Sequence, residues 1–137
     1  MANALFDYGR DEFLKGNIDW INDTINVILV DEGDDVPDPA TDQNLEDILA
    51  AARVATGTLD NTAAPTTDGV ADADDEVLSA VSGDESESLV IYKDTGAEAT
   101  STLIAYIDTA GGTLPVTPNG GDITIEWDSG ANRIFKL

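Results

Sequence analysis

The sequence predicts a mainly β domain: a β-sandwich or small β-barrel of about eight short strands, with one or two short N-terminal helices. Three observations predict it. Apolar runs such as Ile25-Asn26-Val27-Ile28-Leu29-Val30 and Leu89-Val90-Ile91-Tyr92 are short and rich in β-branched and aromatic residues. Beyond Arg53, turn signals recur at short intervals: Asp60-Asn61, Ser82-Gly83-Asp84, Asp94-Thr95-Gly96, Gly111-Gly112, Asn119-Gly120-Gly121 and Asp128-Ser129-Gly130. Apolar residues make up 42% of the 137 positions, enough for one core and hence a single domain over 1–137.

A short helix is expected over residues 7–15. Asp7 caps its start, Asp11 and Glu12 suit its early turns, and Gly16 ends it, with Gly9 a weak helix former inside. Ile18-Asp19-Trp20 leads into a strand over 24–30. Its apolar residues fall on both faces, which marks a central strand covered on both sides. Residues 31–42 read as an acidic loop, with Pro37 and Pro39 opposing regular structure. A second short helix is expected over 43–50, capped by Thr41 or Asp42, with Leu45, Ile48 and Leu49 facing inward. Strands follow over 53–59, 70–73, 76–81, 88–93, 100–108, 122–127 and 132–136. The last two read as a hairpin, since Ile123, Ile125 and Trp127 alternate with Thr124 and Glu126 before a short turn. Residues 61–68 read as an exposed loop.

Charge narrows the function classes. Twenty-eight acidic residues stand against six basic ones, net −22 at pH 7. No two bases are adjacent, so no cluster grips phosphate, which excludes nucleic acid as a partner. An anionic membrane surface repels the chain for the same reason. Disorder fits poorly with the apolar runs. Twenty Asp against eight Glu, with only three Lys, describe a hydrated surface suited to concentrated salt. At molar salt the Debye length is about 3 Å, so surface carboxylates hardly repel one another. Cys and His are absent, which removes disulfides, thiolate ligands, the usual general base and the commonest zinc ligand. The first residues carry no signal peptide, and no run reaches the ~20 apolar residues of a membrane span. Synthesis in the cytoplasm is the expectation.

Candidate chemistry is sparse. Asp31-Glu32-Gly33-Asp34-Asp35-Val36-Pro37-Asp38 has the composition of a calcium loop but not the spacing: Gly33 stands at a ligand position, and Val36 replaces the glycine of the turn. It reads as a solvated loop, as does Asp72-Ala73-Asp74-Asp75-Glu76. With 28 acids, two at the separation of a glycosidase pair carry no information. No catalytic, metal or cofactor residue is assigned. Trp127, Tyr92 and Tyr106 sit in phase with apolar neighbours and read as core or subunit interface, whereas Trp20, between Asp19 and Asn22, reads as near the surface. Leu5, Phe6 and Tyr8 make the N-terminus apolar. Either they fold back onto the domain's own core, or they form an assembly interface with a neighbouring subunit.

The opening, from Ala4-Leu5-Phe6-Asp7-Tyr8 through Phe13-Leu14-Lys15-Gly16 and Ile18-Asp19-Trp20 to Leu29-Val30-Asp31, resembles a family of small structural proteins of tailed viruses. Members open with a short helix ending in Phe-Leu-x-Gly, then an Ile-Asp-Trp step into a strand ending in Leu-Val-Asp. Ala52-Arg53-Val54-Ala55, Leu89 to Gly96, Leu103 to Asp108 and Asn119 to Trp127 resemble the family too, so the likeness spans nearly the whole chain. The acid load departs from the family and fits a tailed virus of a halophilic archaeon. The resemblance implies a non-enzymatic virion protein. The first expectation is a decoration (cement or turret) protein on the outer head surface, as a homo-oligomer, with a trimer favoured, on the major capsid protein or other virion proteins. A tail or head–tail junction protein and a glycan- or receptor-binding β module are the alternatives.

Overall fold

The computed structural model describes residues 3–62, 68–109, 114–131 and 133–137, and within them β2 (Ile25–Val30) is buried along its whole length. It pairs antiparallel with β3 (Arg53–Thr58) on one side and β6 (Ser88–Lys93) on the other. Next to β6 lies β7 (Leu103–Ile107), and β1 (Ala4–Leu5) closes that edge, giving the order β1-β7-β6-β2-β3. Two ribbons complete the strands: β4 (Val70–Ala71) with β9 (Phe135–Lys136), and β5 (Glu76–Leu78) with β8 (Ile123–Ile125). All pairings are antiparallel, and the described residues form no closed barrel. The mainly β expectation is met.

Alternation along the central strands builds two cores. Ile25, Val27 and Leu29 of β2, with Leu89 and Ile91 of β6, pack against Leu78, Ile123, Ile125, Trp127 and Phe135 from the ribbons. Ile28, Val30, Val90 and Tyr92 face the other way and are covered by Phe6, Leu45, Ile48 and Ala52. β2 is thus covered on both sides, as the apolar residues on both of its faces predict.

α1 (Asp7–Leu14) lies against β7. A bulge makes this possible: Ile91 faces Ala105 and Tyr92 faces Leu103, which leaves Ile104 without a partner. The Ile104 carbonyl accepts the Phe6 N–H at 2.9 Å, just ahead of the helix. A Cβ on Gly9 would lie 2.4 Å from the Leu103 carbonyl oxygen, so the poor helix former is there to let backbone approach backbone. Gly16, at φ +76°, ends the helix; its N–H bonds to Phe13 O, and Asn17 N–H reaches back to Glu12 O. Asp7 does not cap the start. Its side chain pairs with Arg10, and its N–H goes to Pro39 O.

Several expectations are corrected. The helix over 43–50 is two short 3-10 turns, Leu45–Asp47 and Ala50–Ala52. The stretch is tied across the sheet end instead: Leu45 N–H bonds to Ser101 O, and Leu103 N–H to Gln43 O. Leu45 and Ile48 face inward, but Leu49 is 56% exposed. The C-terminal hairpin is not formed, because β8 pairs with β5 and β9 with β4. The alternation in 122–127 specifies which face is buried but not which strand is the partner. β1 was not expected, and the strand expected over 100–108 begins with the 3-10 turn Glu98–Thr100. Most of the loop expected over 61–68, the Gly111-Gly112 turn and the first residue of the strand expected over 132–136 lie outside the described residues.

Candidate functional site

The acidic loops are held by their own carboxylates. Asp31 is buried; its Oδ1 accepts the Gly33 N–H at 2.8 Å, and its carbonyl accepts the N–H groups of Asp34 and Asp35. Asp35 Oδ2 accepts the Leu49 N–H, Asp38 Oδ1 that of Ala40, and Asp42 Oδ2 that of Asp38. Asp47 Oδ2 accepts from both Gln43 and Asn44, and Glu87 from Glu32. The Glu32 carboxylate takes the Tyr106 hydroxyl, whose pKa is pushed up by burial and by that acceptor. Burial, with the like charges of Asp47, Asp35 and Asp38, holds the Asp42 carboxyl above its usual range. Short Asp side chains suit such turns better than Glu, so the Asp excess has a structural cause besides hydration. Among the described residues, no group of three or more carboxylates is placed to hold a metal ion.

Six of the eight aromatic rings are buried, and Tyr8 and Phe13 are half-buried. Trp127, as expected, is core: its Nε1–H donates to Asp74 O at 2.9 Å, and its backbone N–H to Asp75 Oδ1. Trp20 corrects the near-surface expectation. It is 9% exposed, stands edge-on to Phe135 at 5.1 Å, and donates Nε1–H to Asp72 O. Both indoles are therefore anchored on the run 72–76. Tyr92 and Tyr106 are buried under the sheet's other face. Phe6 is fully buried in the same core, so for this residue the fold-back reading describes the structure. Leu5 and Tyr8 are half-buried.

Among the described residues one surface is largely apolar, with Asp19 at one end. Between α1 and β9 runs an open apolar groove, with sections of about 410 and 460 Å³. Phe13, Trp20, Ile21, Phe135 and Leu137 line the first section, and Leu5, Phe13, Leu14 and Leu137 the second. Leu14 is 87% exposed and Leu137 61%. Arg10 and Lys136 flank this groove, and Arg133 joins them along a polar extension beside β1. Arg10 pairs with Asp7, Lys15 with Glu12, and Arg133 lies 3.9 Å from Asp72; Lys136 has no ion-pair partner among the described residues. By contrast Arg53 is interior, donating to the Leu45 and Ile48 carbonyls and to Glu98.

No protein-family model matches the chain, and no curated protein matches it. Among the described residues no helix is long and apolar enough to cross a membrane. The groove was not foreseen from the sequence, although a signal was there. Arg10, Lys15, Arg133 and Lys136, four of the six bases, stand near the two ends of the chain, and the fold brings those ends together.

Proposed function

We propose that this chain is a non-enzymatic structural protein of a tailed virus, placed as a decoration protein on the outer surface of the head. The single observation that carries it is the contrast between a surface at net −22 and one apolar groove edged by basic side chains. Such a surface is repelled by packaged nucleic acid and suits the solvent side of a particle. An apolar patch with few carboxylates is what a subunit lattice needs at the centre of a contact. The likeness of the opening, central and closing segments to small virion proteins supports the same reading, and the acid load supports a halophilic source. A tail or head–tail junction position is the alternative and differs in copy number.

The test is to purify particles of the source virus in molar salt, quantify the chain against the major capsid protein, and locate it in a particle map. Decoration requires copies in simple proportion to the capsid lattice and density on its outer face. A dozen or so copies at one vertex would move the protein to the junction, and its absence from particles would end the structural reading.

A further inference from the structure

We infer that the chain assembles with itself head to tail, the groove between α1 and β9 of one copy receiving the Val36 and Leu49 face of a second copy. This names a partner for the virion-protein reading and rests on that reading for its purpose.

The exposed large apolar side chains fall mainly into two sets. Leu14, Ile21 and Leu137 surround the groove. Val36 and Leu49, 52% and 56% exposed, lie on the acidic segment that covers the opposite face of the central sheet. They stand close together, because Asp35 Oδ2 holds the Leu49 N–H at 2.8 Å. Each set is therefore an apolar spot, but the charge around them differs. The groove is edged by Lys136 and by Arg10, which pairs with Asp7, and carries Asp19 at one end, whereas Val36 and Leu49 stand in segments that carry Asp34, Asp35, Asp38, Glu46 and Asp47 and no base.

Charge then selects the pairing. Two copies at −22 repel in most orientations. Groove against groove sets basic edges face to face, and acidic face against acidic face is worse. Groove against acidic face joins apolar to apolar inside and opposite signs around the rim, the arrangement that excludes wrong registers. The two patches are different, so the contact is heterologous and generates a closed ring or an open filament. A trimer, the oligomer favoured at the sequence level, would be a closed ring of this kind.

The test uses the free protein at about 2 M NaCl, without particles, so failure here is distinct from failure to find the chain in virions. Leu14→Glu disables the groove and Val36→Lys disables the acidic face. Both sites are exposed, and far-ultraviolet circular dichroism confirms folding; Leu137→Glu replaces Leu14→Glu if the latter misfolds. Sedimentation equilibrium should show a wild-type oligomer, with self-association weakened about 30-fold or more in each variant alone. A one-to-one mixture of the variants should form a heterodimer and stop, since one intact groove and one intact acidic face remain. The inference is overturned by a wild type monomeric at ~100 µM, by either variant alone keeping its oligomer, or by a mixture that stays monomeric.

Discussion

Gly9→Ala reverses the usual sign of a helix substitution. In an isolated helix, Ala is better than Gly by about 1 kcal/mol. Here the added Cβ would sit 2.4 Å from Leu103 O and 3.2 Å from Ile104 Cα, both backbone atoms that cannot rotate away. Restoring ordinary contact at about 3.4 Å requires α1 to retreat by about 1 Å. That retreat stretches the Phe6 N–H to Ile104 O bond from 2.9 Å and loosens Phe6, which is fully buried. Overpacking of this kind costs about 1–3 kcal/mol, and a weakened buried hydrogen bond adds about 1 kcal/mol. Set against the propensity gain, the variant should be less stable by about 1–3 kcal/mol. Urea unfolding at fixed molar salt measures this. Gly16→Ala is the control: nothing lies within 4 Å of its Cβ, and its cost of about 1 kcal/mol comes from φ +76° alone. A Gly9→Ala protein more stable than wild type would show that the helix does not rest on the Ile104 bulge, and the reasoning would fail.

Trp127→Ala should lose about 3–5 kcal/mol, since the ring is in the core, while Trp127→Phe should lose less by keeping most of the packing and only orphaning Asp74 O; equal losses would show that the indole N–H rather than the ring is what matters. Thermal midpoints should rise as NaCl goes from ~0.1 to ~2 M, because the Debye length falls from about 10 Å to below 3 Å around a chain at −22; a flat series would remove the halophilic reading. Glu76 titrates above its usual 4.5, through burial and then the Asp60 charge, so folding takes up a proton there. Its stabilising contribution is complete below pH ~4.5 and is lost as pH rises through the raised value. Glu76→Gln should therefore flatten the fall in stability over that window relative to wild type, and parallel pH profiles for the two proteins would contradict it.

What the sequence could show depended on how local the cause was. Residues 88–93 and 24–30 were legible because a short segment rich in β-branched residues, with apolar side chains on both faces, has few alternatives to a doubly covered strand, and the observed Ser88–Lys93 has the expected bounds. The end of α1 was legible because Gly16 supplies the left-handed residue that the cap needs. Pairing partners were not. Ile123, Ile125 and Trp127 announce a buried face, yet β8 pairs with β5, some 45 residues earlier in the chain, and not with its neighbour β9. The 43–50 stretch has helical spacing, but the Gln43 carbonyl that a helix would give to Asp47 takes the Leu103 N–H, and the Leu49 N–H that a helix would give to Leu45 goes to Asp35 Oδ2. Trp20 looked exposed because its sequence neighbours are polar, and it is buried because a ribbon from the far end of the chain lies over it. The groove escaped for the same reason, since its two walls are about 120 residues apart in the chain.

The order of the strands also sets a timetable for synthesis. All five strands of the central sheet have been made once Ile107 is added, and the side chains that seal one of its faces, Ile123, Ile125, Trp127 and Phe135, are added afterwards. Until then Ile25, Val27, Leu29, Leu89 and Ile91 lack part of their cover. Synthesis at about 5–20 residues per second makes that interval a matter of seconds. A released fragment ending between Asp108 and Ile123 would hold all five strands of the sheet with one face short of its apolar cover, and a premature stop there should yield an aggregating fragment rather than a smaller working subunit.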